Sequence, residues 1–462
     1  MSKNVKLYMS EHFGAPELKG DRWGYTVELL RKCLCYGFNE RTDIVSIETV
    51  SNKQIKITFE TEHKYVPMQT IKLSAVLPEE LNDEFRIDSV DALTVTATGY
   101  KTLVFSGVST TSGNSIVAPL GFTEAFTDGA NISAFTDDTQ DCYFVIDDTQ
   151  PDSPAWSVGQ MIRPLCYMTD KMSDINTPGE TIVPYDPANP LFYKTRGYKA
   201  GYNNTGTQYY RNGLCSFMSN SNYGGTAYNN TDTLRQMTSK WTLIGNGRMF
   251  YFIPAITNTY ATNFTNISIM HVFGRFNNIT KDNYMLLMPK TYAGYDYFSY
   301  NNWISMNIAF RAYSSSSSNY TPNTTFNNGL PRFILKNKYA LSTVNFLYIN
   351  NSRSYNATGH AIIDAIQNNI KFPDTVDKKL YLDNLYAYYD VLLGKISGVF
   401  ITPQIKEWQI KDRLIKQVNK NNKKYNYYIC NTFTDAGGGV GGTGNPTIYL
   451  ISLENEDWYN YD

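Results

Sequence analysis

One stretch constrains this chain more than any other. Residues 237–254, MTSKWTLIGNGRMFYFIP, carry two apolar runs on either side of Gly245-Asn246-Gly247. Trp241, Leu243 and Ile244 lead into the turn, and Met249, Phe250, Tyr251, Phe252 and Ile253 follow it. Aromatic and β-branched flanks around an Asn-Gly pair predict a β-hairpin, because Asn246 and Gly247 tolerate positive φ at both central turn positions. Both flanks are apolar, so the hairpin belongs in the middle of a sheet covered on both faces, not at an edge. Any large β-protein contains such a hairpin, and by itself it implies no activity.

The rest of the chain predicts a mainly β protein with a short N-terminal helix, in which a small antiparallel barrel or sandwich domain is followed by a larger β-rich domain. Residues 1–44 divide into an arm and a helix. The arm, 1–20, ends in Gly14-Ala15-Pro16 and Lys19-Gly20, and Asp21 is placed to cap the helix that follows. Over 23–36, Val27, Leu30 and Leu34 recur at helical spacing with Tyr25, Leu29 and Cys33 beside them, and Gly37 supplies the stop. Such an arm either docks on its own domain or anchors a neighbouring subunit. Residues 45–108 alternate with period two in five short runs, 45–50, 54–59, 69–74, 85–90 and 93–97, which predicts the small barrel or sandwich. Residues 109–328 read as a central β-rich domain with Tyr/Asn/Gly-rich loops, and 329–462 as a C-terminal β-rich part. Soft regions are expected at 312–328 and 437–444, and a short helix at 360–370.

Composition narrows the function classes. Charged residues make up 18% of the 462 positions, below the roughly 25% of an average domain, while aromatics reach 15% with 37 tyrosines. That balance suits a subunit packed among neighbours, since interfaces favour Tyr over Lys and Glu. It suits the codon bias of an AT-rich genome equally well. A net charge of −1 argues against bulk nucleic-acid binding, which needs a basic face. The one basic stretch, 406–424, interleaves lysines with Gln and Asn and reads as a solvated helix or loop. No apolar run reaches the roughly 18 residues of a membrane span, and the first twenty residues lack a signal-peptide core, so the expected chain is soluble and made in a cytoplasm. The six cysteines, Cys33, Cys35, Cys142, Cys166, Cys215 and Cys430, fit neither a zinc knuckle nor a CxxC motif and are read as reduced thiols.

Catalytic patterns are sparse. The four histidines, His12, His63, His271 and His360, share no metal-ligand spacing, and no nucleophile elbow occurs in a strand–turn–helix context. The glycines at 437–444 lack the Lys-Ser or Lys-Thr of a phosphate loop. Asp147 and Asp148 could in principle hold a hard cation or share acid–base work. Neighbours on a strand point to opposite faces, however, so the pair reads as a turn former through side-chain to backbone hydrogen bonds, as does Asp137-Asp138. Glycosidase carboxylates can lie anywhere in a sequence. No segment gives a pair of them a privileged place here, and neither an enzyme nor a cofactor is expected. The aromatic tract 197–230 could stack on sugars, or pack on a neighbouring subunit.

Beyond these residue-level readings, the chain resembles a family of tailed-bacteriophage virion structural proteins. Trp241, Leu243, Gly245, Gly247, Arg248, Phe250 and Tyr251 match its "W-x-L-V-G-D-G-R-x-F-Y" stretch, with Asn246 in place of Asp. Gly14, Ala15, Pro16, Leu18 and Gly20, then Leu29, Leu30, Cys33, Leu34, Gly37 and Phe38, match a G-A-P-x-L-x-G element, its helix and a closing G-F. Ala118, Pro119, Gly121, Phe122 and Phe126 resemble "A-P-x-G-W-x-x-x-F", and Val145, Asp147, Asp148 and Thr149 resemble "L-R-V-D-D-T". Arg163, Tyr167, Met168, Thr169 and Asp170 fit "R-G-Y-x-x-M-T-D", from which Pro164 departs. Gly394, Gly398 and Trp458 fit the family's C-terminal plan, from which Leu393 and Ser397 depart. The elements occur in the family's order. The resemblance implies a non-enzymatic subunit of the virion, at the tail or baseplate, with other virion proteins and copies of itself as partners. A capsid decoration, collar or neck protein is the alternative within that class. A host-surface carbohydrate-binding or depolymerising protein, with a glycan as partner, is the alternative outside it.

Overall fold

The computed structural model describes residues 4–149 except 111, 161–183 except 163, 238–256, 267–275 except 269, 382–401 except 390, 415–420, 423–433 and 446–458. It also describes the short strand segments 199–202, 207–211, 217–218, 284–287, 291–293, 332–336, 339–341 and 345–347. The hairpin read from 237–254 lies inside an eight-stranded antiparallel sheet. Its order is Lys6–Met9, Trp241–Asn246, Met249–Ile256, His271–Arg275, Tyr284–Leu287, Arg332–Lys336 and Tyr339–Leu341, with Ile267–Ser268 pairing off Met249–Ile256.

Both faces of this sheet are covered, as the doubly apolar hairpin requires. Alternate residues point to opposite faces of a strand. Tyr8, Trp241, Leu243, Phe250, Phe252, Phe273 and Leu286 enter one core. Val5, Leu7, Ile244, Met249, Tyr251, Ile253, Val272 and Met285 enter another. Every residue of Trp241–Asn246 is buried.

The turn differs in register from the expectation. Asn246 pairs with Met249, so the two turn residues are Gly247 and Arg248. Neither Asn246 nor Gly247 has positive φ. Instead Asn246 precedes the turn, and its Oδ1 accepts hydrogen bonds from the backbone N–H of Arg248 (2.9 Å) and Met249 (3.1 Å). This is the Asx arrangement favoured at the first position of a tight turn, and Asp would serve there equally well.

The first core is walled by three elements. An eight-stranded half-barrel runs Phe38–Arg41, Asn114–Val117, Thr70–Ser74, Glu84–Val90, Thr94–Gly99, Gln54–Phe59, Ile44–Thr49 and Val108–Ser109. All five runs read from 45–108 are strands in it. The sheet extends past those limits on both sides, because Phe38–Arg41 and Asn114–Val117 pair into it. A five-stranded antiparallel sheet follows, Thr123–Asp128, Ile132–Thr136, Cys142–Asp147, Leu165–Asp170 and Ile182–Val183. Between them sits the expected helix, Tyr25–Arg31, continued by a wider π-type turn at Lys32–Tyr36. Gly37 ends it at φ 79°, where a Cβ would lie 2.4 Å from the Val117 carbonyl oxygen, so only glycine fits.

The second core is closed by a six-stranded sheet, Asn345–Leu347, Asp383–Tyr389, Val391–Ile401, Pro446–Ser452, Lys423–Phe433 and Ile415–Lys420. Ile396, Val399, Tyr428, Cys430, Tyr449 and Ile451 carry its share. The expected division at 328/329 is crossed, because Arg332–Lys336 pairs with Tyr284–Leu287 inside the central sheet. The basic stretch read as a solvated helix or loop contributes strands: Ile415–Lys420 pairs with Lys423–Phe433. The expected helix at 360–370 and the soft regions at 312–328 and 437–444 lie outside the described residues. So does most of the aromatic tract 197–230, of which Lys199–Tyr202, Thr207–Arg211 and Phe217–Met218 are strands. Among the described residues no helix is long and apolar enough to cross a membrane.

The arm docks on its own domain as part of a sheet. Lys6–Met9 is a strand of the central sheet, paired with Trp241–Asn246, and Val5, Lys6, Leu7 and Tyr8 are all buried. Alternation of Val5 and Leu7 against Lys6 and Tyr8 puts one pair into each core. Lys6 is the uncommon member. Its ammonium makes a 2.6 Å ion pair with Glu84 of the half-barrel and also donates to the Pro119 carbonyl. Burial pulls the Lys6 pKa down, with the Glu84 carboxylate acting in the opposite direction. A buried pair of this kind contributes little net stability, yet removing one partner strands the other charge. Lys6→Ala is therefore expected to lower unfolding free energy by roughly 3–5 kcal/mol. Lys6→Met combined with Glu84→Leu should recover most of that loss, as read by urea denaturation.

Candidate functional site

The residues singled out in sequence converge on one joint. Trp241 Nε1 donates to the Pro16 carbonyl at 2.9 Å, and Ser10 N donates to the Trp241 carbonyl at 3.0 Å. Ser239 N donates to the Leu18 carbonyl at 2.7 Å, and Lys19 bridges to Thr238. The Gly14–Gly20 element thus wraps the start of the hairpin, with Gly14 at φ 72° and both Pro16 and Gly20 buried. Tyr8 donates its hydroxyl to the Ala118 carbonyl at 2.6 Å. The next three N–H groups, of Leu120, Gly121 and Phe122, donate at 2.8, 2.9 and 3.1 Å to the Cys33 and Leu34 carbonyls. Those carbonyls lie in the π-type turn, so the segment 118–122 satisfies the groups that a helix end leaves unpaired.

Phe122 then reaches the hairpin. Its ring stands edge-on to Phe250 with centroids 5.7 Å apart. Phe144 of the five-stranded sheet packs on Phe250 at 5.9 Å and on Phe273 at 5.0 Å. Offset and edge-on pairs of this kind add about 0.5–1.5 kcal/mol each beyond the area they bury. Gly245 faces Phe250 across the hairpin, and a Cβ there would sit 2.4 Å from the Met249 carbonyl oxygen. On the opposite face Tyr251 donates to the Ser397 carbonyl, and its ring meets Trp458 edge-on at 5.3 Å. Trp458 Nε1 in turn donates to the Ser452 carbonyl at 2.7 Å. Arg248 lies half-buried at the turn.

The two aspartate pairs behave as turn formers and more. Asp147 accepts from Thr149 N (2.9 Å) and Thr149 Oγ1 (2.5 Å), as a turn requires. Asp148 points the other way. Fully buried, it accepts from the backbone N–H of Thr26 (2.8 Å) and Val27 (3.4 Å) and so caps the helix Tyr25–Arg31. Asp21, the expected cap, makes no such bond; the N-cap position belongs to Gly24, in the left-handed region at φ 101°. Asp137 accepts from Thr139 N (3.0 Å) and Thr139 Oγ1 (2.6 Å) and also from the Tyr284 hydroxyl (3.0 Å). Burial, then the nearby Asp137 charge, pushes the Tyr284 pKa well up. Arg275 completes that cluster at 3.6 Å from both Asp137 and Asp138. Sequence reasoning missed the cap, the Tyr284 contact and the Lys6–Glu84 pair. Each joins positions too far apart in the chain for a local pattern to mark.

The described histidines also serve the fold, and His360 lies outside the described residues. His63 Nε2 lies 2.7 Å from the Asp91 carbonyl while Nδ1 accepts from Tyr65 N at 2.9 Å. His12 is buried, which pushes its pKa down to about 4. His271 stacks on Phe252. Five cysteines are free thiols, all buried except the half-buried Cys35, and Cys215 lies outside the described residues. Among the described residues no three His, Cys, Asp or Glu side chains are grouped as a metal site. What the arrangement does chemically is hold sheets together.

No protein-family model and no curated protein sequence matches this chain. Among solved structures the chain is similar to phage phi92 endosialidase, at 9% identity and a TM-score of 0.15. The similarity covers 92% of this chain and 53% of that one, so the chain spans about half the length of that structure.

Trp241 offers a direct test of the joint. Trp241→Phe keeps most of the ring but leaves the buried Pro16 carbonyl without its donor, which costs about 1–3 kcal/mol. Trp241→Ala adds a cavity and should cost about 3–5 kcal/mol. Thermal denaturation should rank wild type above Trp241→Phe and Trp241→Phe above Trp241→Ala.

Proposed function

We propose that this chain is a non-enzymatic structural component of a tailed-phage virion that assembles by subunit–subunit contacts, at the tail or baseplate. One observation supports the reading above the others. Four of the stretches that carry the family resemblance, at 14–20, 118–126, 145–149 and 241–251, fasten the half-barrel, the helix, the five-stranded sheet and the central sheet to one another. A likeness concentrated in such joints is a likeness of scaffold. The aspartate pairs that could have served catalysis are occupied instead by turns, a helix cap and a tyrosine. Interfaces formed by burial and shape need no further chemistry, and the tyrosine-rich, charge-poor composition suits them.

Partners on this reading are other virion proteins and further copies of the chain. The N-terminal stretch is part of the fold itself. It completes the central sheet, so removing residues 1–10 should yield insoluble protein, not soluble subunits that fail to join particles.

Electron micrographs of intact particles carrying an epitope tag on this protein test the assignment. Label at the tail end is the expected result. Label over the head or around the neck would replace the baseplate reading with a decoration or connector. Absence of the protein from washed, purified particles would overturn the virion reading itself.

A further inference from the structure

Asn4 and Lys6 both reach Glu84, at the start of the half-barrel strand Glu84–Val90. One carboxylate straddles the two. Its Oε1 takes the Lys6 ammonium at 2.6 Å, and its Oε2 accepts from Asn4 Nδ2 at 3.3 Å. The Asn4 carboxamide is held from its other end as well, because its Oδ1 accepts from Asn455 Nδ2 at 3.0 Å. Between them Val5 N donates to Asn455 Oδ1 at 2.8 Å, which fixes the intervening backbone. An amine, a base and a carboxamide with a donor on its oxygen are thereby strung together. Those are the parts that acyl transfer to nitrogen needs.

The setting favours that chemistry. Lys6 is 1% exposed and Glu84 8%. Charges so placed lose their hydration, and a neutral amine beside a neutral acid competes with the ion pair. Burial pulls the Lys6 pKa down, Glu84 acts against it, and Lys72 adds a smaller push downwards. The neighbouring cations leave Glu84 to Lys6, since Arg86 pairs with Glu454 and Lys101 with Asp83.

We propose that the folded chain joins Lys6 to Asn4 by an isopeptide bond, with Glu84 carrying the protons. The Lys6 ammonium gives a proton to Glu84, and the lone pair it frees on Nζ attacks Asn4 Cγ. The carbonyl electrons move onto Oδ1, where the Asn455 N–H steadies them. The intermediate then collapses by breaking the Cγ–Nδ2 bond. Glu84 hands its proton to Nδ2 and takes the second proton from Nζ, so ammonia leaves and Glu84 remains as a neutral acid. A buried pair of charges is exchanged for an amide and an uncharged carboxyl, which removes the desolvation cost that such a pair carries. The ion pair of the structure is the state from which this reaction starts. The bond closes residues 4–6 into a ring and stiffens the segment lying between the half-barrel and Asn455.

Mass spectrometry of the purified full chain tests the bond. The intact protein should weigh about 17 Da less than its sequence, the mass of one ammonia. After denaturation trypsin should cut at Lys3 and pass over Lys6, whose charge is gone, and the peptide spanning 4–19 should carry the whole deficit. Glu84→Gln keeps the shape of the side chain but carries no proton, so it should restore both the full mass and cleavage at Lys6. Full mass and ordinary cleavage at Lys6 in the wild type would overturn the proposal. So would the same deficit with Lys6 still cleaved, which marks Asn4 closing on its own backbone, or a deficit that survives in Glu84→Gln. If that variant does not fold, the wild-type mass and the Lys6 cleavage decide by themselves.

Discussion

A hairpin buried on both faces must satisfy every polar group it carries from within the protein, and much of this architecture follows from that demand. Unpaired polar groups in an interior cost about as much as the bonds they forgo. Three polar side chains of the hairpin have accordingly drawn in a distant segment. Trp241 Nε1 fixes the Gly14–Gly20 element through Pro16. Thr242 shares a 3.0 Å hydrogen bond with the Tyr428 hydroxyl of the six-stranded sheet, and Tyr251 reaches Ser397 on the same sheet. Asn246 folds back on its own turn. Burial of the aromatic rings supplies the driving force, at about 1.5–3 kcal/mol for each large apolar side chain. The hydrogen bonds decide which segment lies where.

What was legible in sequence follows from the range of the physics involved. Period-two alternation is local, and it located the five runs of the half-barrel, while apolar flanks rich in aromatic and β-branched residues located the hairpin strands. The helical stripe of Val27, Leu30 and Leu34 located the helix, and Gly37 its end. The turn was displaced by one residue because an Asn-Gly pair supports two solutions: positive φ at both, or an Asn that accepts from the two following N–H groups. The second won, since it leaves Gly245 opposite Phe250 where the strands approach too closely for a side chain. Asp21 failed as a cap for a different reason. A local capping signal competes with any carboxylate the tertiary fold brings to the same N–H groups, and Asp148 arrives from 122 positions away. The joint's motifs were legible as resemblance but not as contacts, because nothing local in Pro16 or Ala118 announces that its carbonyl will meet Trp241 or Tyr8.

Lys6 illustrates a wider feature of the design. A strand with Val5 and Leu7 on one side and Lys6 and Tyr8 on the other reads as half-polar, which is why the stretch looks like an exposed arm. The charge is instead balanced by Glu84, whose second oxygen accepts from Asn4 at 3.3 Å. Charge placed inside and answered inside is costly to desolvate and contributes little net stability. It does restrict which strand can lie at that edge of the sheet. A purely apolar strand there would leave Glu84 uncompensated.

The same edge explains why the two distant parts of the chain depend on each other. Val5 N donates to Asn455 Oδ1 at 2.8 Å across 450 positions, and Asn4 exchanges a further bond with the Asn455 side chain. Beside them Arg86 of the half-barrel pairs with Glu454 at 3.1 Å. The edge strand therefore rests on the hairpin, the half-barrel and the segment Leu453–Trp458 at once. Pairings between residues so far apart form slowly, because chain entropy is spent before the contacts repay it. Until residues near 455 are available, the outer edge of the central sheet lacks its cover and the Lys6–Glu84 pair lacks a closed surround. The half-barrel, whose strands pair within 38–117, has no such dependence in its ladder. It is the unit best placed to form first and to receive the hairpin, with the joint around Trp241 and the 453–458 segment closing over both.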